Sequence, residues 1–210
     1  MPSFQEIQLE KIQPLGRAQL IDSAIRAVAA YGRKGATVRI IANDASVTPG
    51  LIIHHFATKA RLLDEADRVV VNRLTEAMKT PVECRTADET IKSIANQLSN
   101  IIGSDSDLRA YVRRSFLEGT ASGASIFNKM VDTTLVHINK YAPQKTGTEQ
   151  ELRWTAAQVL SINLAALIFE PFLEECAKKS PFSEDEVIRR TSANSQFIKA
   201  GVTDALFRSR

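Results

Sequence analysis

Two adjacent histidines, His54 and His55, are the residues of this 210-residue chain whose types first suggest chemistry, and Lys59 follows them closely. Neighbouring side chains on a helix do not face one another, so the pair cannot chelate a metal ion. The sequence contains no nucleophile elbow, phosphate loop, HExxH motif or Cys/His cluster, and its two cysteines lie far apart. We therefore predict that the chain is not an enzyme and uses neither a metal nor a cofactor.

Positive charge is concentrated near the N-terminus. The first 60 residues hold seven basic and four acidic side chains, whereas the remaining 150 hold 20 of each kind. This distribution is typical of a nucleic-acid-binding head on a neutral body, although charge alone fits a mildly basic surface without a partner equally well. The sparse, separated cysteines favour a reduced, cytosolic chain.

The N-terminal region is predicted to fold as short helices joined by tight turns. Apolar residues over Leu20–Tyr31 recur at helical spacing, and Gly32 marks the end of that helix. Thr37 is placed to cap a second helix. Thr48 is placed to cap a third, with Pro49 at its first position, where the missing N–H costs nothing.

Inward-facing residues would lock the second and third helices at a fixed angle, which is the arrangement of a helix-turn-helix. Ala42 and Val47 come from the second helix and the turn, and Ile52 and Phe56 from the third helix. Thr58 is placed to cap a long fourth helix. The third helix would then present small or adaptable side chains to a DNA major groove about 12 Å wide.

The remaining sequence predicts further helices and no strand, which gives an all-α fold of about nine helices. Only nine glycines and seven prolines are present, too few for the turns of most β-sandwiches. Pro171 is expected to kink or split a long helix over 148–178. Polar residues interrupt the apolar stretch Thr155–Leu173, so we interpret it as a core or interface helix and not as a membrane span.

Two stretches carry a family resemblance: Thr37-Val38-x-x-Ile41-Ala42, and Ala45-Ser46-Val47-Thr48-Pro49-Gly50-Leu51-Ile52-Ile53-His54-His55-Phe56-x-x-Lys59. Over about residues 15–70 the chain resembles the tetracycline-repressor (TetR) family of regulators. Two positions depart from the family pattern. Ser46 replaces the usual glycine of the turn, where a glycine-like backbone would be strained. Ile53 replaces the usual tyrosine, so it loses a phosphate contact and is expected to meet a thymine methyl group.

The resemblance implies that the partner is double-stranded DNA read in the major groove. Arg39 would read guanine through its planar guanidinium, and His54, favoured over His55, would contact a base or a phosphate. Lys59 and Thr48 would bind phosphates, Arg17 would hold the flanking backbone, and Pro49 and Gly50 would allow close approach. The full set of predicted DNA-binding residues is Arg17, Thr37, Arg39, Thr48, Pro49, Gly50, Ile53, His54, His55 and Lys59.

The same resemblance implies a homodimer and a pocket for a small-molecule inducer. It places the dimer interface on the last two long helices, about 148–178 and 183–202, with an ordinary intramolecular core as the alternative. The predicted interface residues are Ala156, Ala157, Val159, Leu160, Leu164, Ala165, Ala166 and Phe172. The candidate pocket residues are Tyr111, Phe116, Phe127, Met130, His137, Trp154 and Asn163.

Together these expectations describe a ligand-responsive transcriptional regulator. We expect it to be a repressor that binds a palindromic operator as a homodimer and that a small-molecule inducer releases. The alternative is an all-helical small-molecule-binding dimer with degenerate DNA binding. The implied domains are a helix-turn-helix DNA-binding domain over 1–57 and a helical ligand-binding and dimerisation domain over 58–210. The implied location is the bacterial cytoplasm, at the nucleoid, with no membrane partner.

Overall fold

The described parts of the chain fold into ten helices. The computed structural model describes residues 4–79, 86–141 and 147–207, and within these ranges it contains no strand. The all-α prediction is confirmed. The helices are α1 (Phe4–Gly35), α2 (Val38–Asp44), α3 (Pro49–Phe56), α4 (Lys59–Ala77), α5 (Ala87–Ser104), α6 (Ser106–Leu117), α7 (Ala121–Tyr141), α8 (Glu149–Ile168), α9 (Glu170–Ala177) and α10 (Glu184–Phe207).

The described residues form ten helices where the sequence predicts about nine, and Pro171 explains the additional helix. The long helix predicted over 148–178 is divided at Phe169 into α8 and α9, whose axes are bent by 72°. Pro171 lies in the first turn of α9, where its missing N–H breaks no helical hydrogen bond. The prediction that this proline would kink or split the helix is confirmed.

Gly32 interrupts α1 as the sequence predicts. Its backbone lies at φ 72° and ψ 169°, outside the helical region, although helical residues continue to Gly35. A Cβ at Gly32 would lie 2.7 Å from Glu118 Oε1, the end of a flexible side chain that can move aside, so it is the backbone conformation that favours glycine here. Tyr31, the last apolar residue of the helical spacing over Leu20–Tyr31, is 59% exposed in the last turn before this break, so the packed face ends before it.

The helices pack as two compact units. The N-terminal unit contains the described residues up to Val70 together with Asp107–Glu118, and the C-terminal unit contains those of Val71–Ser106 and from Gly119 onward. In the N-terminal unit, α1 packs against α2, and α2 against α3. In the C-terminal unit, α7 packs against α8, and α10 packs against both α5 and α8. The predicted functional boundary at residue 57 stays a prediction.

The core of the N-terminal unit is built from the apolar positions that the helical spacing identified. Leu20, Ile41, Ala42, Ile52 and Leu62 are each fully buried. Burying a side chain such as leucine or isoleucine stabilises a fold by about 1.5–3 kcal/mol, so these contacts are the main energy that holds α1 to α4 together.

The turn between α2 and α3 contains Ser46 at φ 55°. This is the glycine-like conformation in which the sequence predicts strain. Two backbone hydrogen bonds hold the turn: Ser46 N–H donates to Asn43 O at 3.1 Å, and Val47 N–H donates to Ala42 O at 2.9 Å. The turn therefore keeps its geometry although the residue does not favour it.

We expect Ser46→Gly to raise the free energy of unfolding by roughly 0.5–1 kcal/mol. The left-handed conformation costs an L-residue about 1–2 kcal/mol, and the greater freedom of glycine in the unfolded chain takes back part of the gain. Urea unfolding measures the difference. Ser46→Ala is the control, because it keeps the Cβ and should show no gain. Equal stabilities of the two variants would contradict strain at this position.

Candidate nucleic-acid interface

The outward sides of α2 and α3 form a continuous candidate surface, which we call the α2–α3 surface. Its exposed members are Thr37, Arg39, Thr48, Pro49, Gly50, Ile53 and His54. No aspartate or glutamate occurs between Val47 and Arg61, so no acidic side chain of α3 would repel a phosphate. Among the predicted DNA-binding residues between Thr37 and His55, all except His55 are thus exposed.

Buried residues and turn contacts fix the orientation of α3. Ile52 and Phe56, four residues apart on α3, are 0% and 4% exposed, as the spacing predicts. From α1, Gln19 Nε2 donates to Ala45 O at 2.8 Å and so holds the end of α2. A recognition helix needs this kind of fixed angle, because base contacts depend on its position in the groove.

Threonine caps define the helix starts on either side of α3. Thr37 Oγ1 accepts from Ile40 N–H at 3.2 Å, and Thr58 Oγ1 accepts from Arg61 N–H at 3.2 Å, as predicted. Thr48 occupies the cap position of α3, but its side chain makes no capping hydrogen bond. The predicted position of the cap is confirmed, but the predicted capping hydrogen bond is absent. The Thr48 hydroxyl is therefore available to a partner outside the chain.

Arg17 is engaged inside the N-terminal unit. Its Nη2 lies 3.1 Å from Glu65 Oε1, and its Nη1 donates to His55 O at 3.1 Å. Its guanidinium also lies 4.5 Å from the centroid of the Phe56 ring. Arg17 thereby ties α1 to α3 and α4, so a contact with the DNA backbone, which stays a prediction, would have to compete with these bonds.

Lys59, the first residue of α4, also has partners within the chain. Its Nζ donates to Arg33 O at 3.1 Å and to Lys34 O at 3.4 Å, both at the end of α1. A cation is favourable at the carbonyl end of a helix, where the dipole is negative. This placement accounts for a lysine at a helix start without a phosphate. The predicted phosphate contact stays a prediction.

Arg39 and His54 are the members of the α2–α3 surface best suited to read bases. Within the described part of the chain, Arg39 makes no ion pair or hydrogen bond, so its planar fork is free. His54 is exposed, whereas the half-buried His55 packs beside it with ring centroids 5.4 Å apart. Burial, followed by the charges of His54 and Arg17, lowers the pKa of His55, so its ring is neutral at pH 7.

Ion pairs neutralise two further arginines of α1. Arg26 Nε and Nη2 both contact Asp44 Oδ2, at 2.9 and 2.5 Å. The hydrogen bond from Arg26 holds the pKa of Asp44 below its ordinary value. Arg33 pairs with Asp64 at 3.0 Å and with Asp67 at 2.9 Å. Because these charges are compensated internally, the basic excess of the head overstates the charge available to DNA.

The predicted pocket residues lie in several different environments. Tyr111 is fully buried in the N-terminal unit, where its hydroxyl donates to Asp67, and burial raises its pKa. In the C-terminal unit, Met130 is buried, and a ring nitrogen of His137 lies 2.8 Å from Met78 O. Trp154 is instead 62% exposed. Phe116 and Phe127 are half-buried. Which of them line a ligand pocket stays a prediction.

One described cavity in the C-terminal unit includes Asn163, a predicted pocket residue. Its other lining residues include Leu98, Ser99, Phe182 and Arg190, from α5, from the segment before α10 and from α10. The enclosed space holds roughly one water molecule, far less than the ~300–1,000 Å³ of a typical ligand site. The sequence did not point to Arg190. What distinguishes this residue is that it is partly buried without a charged partner, and the spacing of apolar residues along a helix does not reveal that.

The described residues contain no group of three or more His, Cys, Asp or Glu side chains that could hold a metal ion. No single described helix is long and apolar enough to cross a membrane, and the pair α8 and α9, which passes that test together, is bent by 72°.

The α2–α3 surface coincides with the region that matches a known family. The family model described as bacterial regulatory proteins, tetR family, matches residues 20–66. The chain is 28% identical over 198 residues to the HTH-type transcriptional regulator BetI of Serratia proteamaculans (strain 568), covering 91% of this chain and 96% of the relative. Over residues 20–66 the chain thus carries a match to the tetR-family domain. Identity with BetI of Klebsiella pneumoniae (strain 342) rises to 37% over 67 residues, which are 32% of this chain and 34% of the relative.

Solved structures show the same fold along nearly the whole chain. A TetR-like regulator from Rhodococcus sp. RHA1 superposes with a TM-score of 0.67 at 13% identity, covering 90% of this chain and 96% of that one. FadR from Bacillus subtilis, solved in complex with stearoyl-CoA, gives a TM-score of 0.64 at 18% identity and covers 88% and 98%. The fold is therefore shared well beyond the residues that the family model matches.

We expect Lys59→Ala to lower the free energy of unfolding by about 1 kcal/mol. Hydrogen bonds from a charged donor are worth about 1.5–3 kcal/mol when buried, and partial exposure of Lys59 reduces this. Chemical denaturation of the DNA-free protein measures the change. Lys34→Ala is the control, since its side chain is exposed. If the two variants were equally stable, the hydrogen bonds from Lys59 to the end of α1 would contribute nothing to the free energy of unfolding.

Proposed function

We propose that this protein is a TetR-family repressor that binds a palindromic DNA operator as a homodimer and is released by a small-molecule inducer. The observation that carries the proposal is the α2–α3 surface, which is exposed, free of acidic side chains and held at a fixed angle by buried residues. Such a surface fits a major groove, which admits one helix. Its proposed site of action is the bacterial nucleoid, in the cytoplasm.

The α2–α3 surface supports a division between phosphate contacts and base contacts. The N-terminus of α3, with the uncommitted Thr48 hydroxyl, suits a phosphate, because free backbone N–H groups and the helix dipole favour an anion there. Arg39 suits guanine through two parallel hydrogen bonds, and Ile53 suits the methyl group of thymine. His54 is placed to reach either a base or a phosphate.

Exposed apolar side chains on α8, α9 and α10 support a homodimer. Trp154, Phe172, Ile188 and Phe197 are 62%, 71%, 57% and 71% exposed. Several predicted interface residues are unavailable for this role, because they are buried in the chain's own core: Ala156, Leu160, Leu164 and Ala166. The interface that we propose therefore uses the exposed aromatic residues, with Phe172 as the member that sequence reasoning had named.

An inducer would act by shifting the population of two head spacings. A dimer reads two half-sites that lie about 34–36 Å, or one helical turn, apart. A ligand can bind more tightly to a conformation of the dimer whose DNA-binding heads do not match this distance. Such a ligand weakens DNA binding by at most the ratio of its affinities for the two conformations. The stearoyl-CoA in the B. subtilis FadR structure supports a ligand-binding body in this fold.

Selection from a random duplex pool tests DNA recognition. We expect the purified protein to enrich a two-fold palindrome, and Arg39→Ala to lose preference at one base pair of each half-site, at a cost of about 1–3 kcal/mol per contact. Arg61→Ala, an exposed arginine of α4, is the control and should keep the base preference. An unchanged motif for Arg39→Ala would contradict its role as a base reader.

Recovery of no motif at low salt would overturn the proposed function. Phosphate contacts make affinity fall steeply with salt, so low salt is the condition most favourable to binding. In that case the all-helical, small-molecule-binding dimer with degenerate DNA binding would be the better description.

We expect Phe197→Glu to shift the protein from dimer to monomer. Removing an apolar side chain from an interface costs about 1.5–3 kcal/mol, and a symmetric dimer contains each change twice. Light scattering after size exclusion measures the mass against the chain mass of 23.2 kDa. Leu117→Glu on α6, at 65% exposed, is the control. A Phe197→Glu protein that stays dimeric at micromolar concentration would place the interface elsewhere.

A further inference from the structure

Arg190 of α10 is a charged side chain in an apolar setting. Its Nη2 donates to Ser99 Oγ at 3.2 Å and reaches Pro181 O at 3.5 Å. Its guanidinium lies 5.7 Å from the centroid of the Phe182 ring. Its Nε is buried without a hydrogen-bond partner. These neutral contacts leave part of the hydrogen-bonding capacity of the guanidinium unused.

No carboxylate compensates the charge of Arg190 within the parts of the chain that the structure describes. The adjacent acidic residue on α10, Glu186, pairs at 3.0 Å with Arg189 instead. Burial alone lowers the pKa of Arg190, with no contribution from an acidic neighbour. Partial burial of a charge without an opposite charge is unfavourable, so a chain that keeps one there does so at the expense of stability.

The cavity beside Arg190 is lined by both polar and apolar side chains. Ser99, which accepts a hydrogen bond from the guanidinium, and Asn163 supply polar groups, and Leu98, Ile102 and Leu164 supply apolar wall. Leu98, Ser99 and Leu164 are each less than 10% exposed, so the walls belong to the core of the C-terminal unit. A ligand that fits must combine a negative group with a short hydrocarbon chain.

We propose that this cavity binds a small aliphatic monocarboxylate, whose carboxylate pairs with the Arg190 guanidinium and whose chain lies along Leu98, Ile102 and Leu164. The planar fork of arginine matches a carboxylate through two parallel hydrogen bonds. The Ser99 hydroxyl is within reach of the same group, since it already lies 3.2 Å from Arg190 Nη2. A phosphate monoester is less suitable, because one arginine and one hydroxyl leave its further oxygens without donors.

The cavity as it stands is smaller than the ligand, so only a short chain, of about two to four carbons, suits it once the wall moves. The enclosed space holds roughly one water, which the carboxylate would displace. The chain then needs the Phe182 side chain to move aside, and this side chain belongs to the segment before α10 and not to a helix. That the carboxylate is the effector rests on the proposed function, whereas its binding does not.

Calorimetry and thermal unfolding of the full chain, without DNA, test the binding. The probes are acetate, propionate and butyrate, with butyramide as the neutral molecule of the same shape and sodium chloride at matched ionic strength. We expect one saturable site per chain for propionate or butyrate, with a raised Tm, and no saturation by butyramide or chloride. Arg190→Met should weaken binding at least about tenfold, the loss expected for a charge-assisted hydrogen bond.

Arg189→Met is the matched control, since Arg189 is the exposed neighbour paired with Glu186. It should bind butyrate like the wild type. Equal binding of butyrate and butyramide, or no saturable carboxylate binding by the wild type, would overturn the proposal even if Arg190→Met failed to fold. Full binding by a folded Arg190→Met would overturn it as well.

A DNA arm separates this inference from the proposed function. If butyrate binds and also lowers affinity for the selected operator, it acts as an effector. If butyrate binds while no operator is recovered, the carboxylate site stands and the proposed repressor function fails. If an operator is recovered and no carboxylate binds, the proposed function stands and the assignment of Arg190 fails.

Discussion

The contacts that α1 makes through three arginines are the constraint on which the α2–α3 surface depends. Arg17 reaches α3 and α4, Arg26 holds the last residue of α2, and Arg33 holds two carboxylates of α4. Exposed ion pairs contribute at most about 1 kcal/mol each, so the apolar core supplies most of the stability. The arginines instead fix the directions of the helices, because together they tie α1 to α2, α3 and α4.

This arrangement changes what the charge of the head can do. Of the seven basic residues in the first 60, three pair with carboxylates, and Lys59 binds the carbonyl groups that end α1. Arg39 and Lys34 stay exposed, and the side chain of Lys11 is not among those that the structure describes. Recognition by the α2–α3 surface must therefore depend on shape, the helix N-terminus and Arg39 more than on a dense positive field. Such a site would lose less affinity with salt than its composition suggests.

Local signals predicted helix starts, turns and buried faces well, because these features depend on nearby residues. The caps at Thr37 and Thr58, the inward positions Ile52 and Phe56, and the division at Pro171 all follow from such rules. Helical spacing includes Tyr31 in the apolar face of α1, but spacing alone does not tell where the packed face ends, and Tyr31 is exposed.

Contacts between distant residues could not be predicted from these rules. The sequence names Tyr111 as a candidate pocket residue, whereas only the structure shows that its hydroxyl donates to Asp67, which lies 44 positions earlier. Lys59 reaches carbonyl groups 25 and 26 positions away, so its partners were equally invisible in the sequence. For the candidate site, the sequence therefore indicated which residues face outward, while the competing bonds of Arg17 and Lys59 required the structure.

Arg33 and Arg190 show how one residue type can serve two purposes. Arg33 is partly buried and has two carboxylate partners, at 2.9 and 3.0 Å, so its charge is compensated and its role is structural. Arg190 is also partly buried, but its described partners are a hydroxyl, a carbonyl and a ring. An apolar residue at position 190 would avoid the cost of burying that charge, and replacing a buried charge in this way is often neutral or stabilising. The charge is therefore better explained by an anionic ligand than by stability.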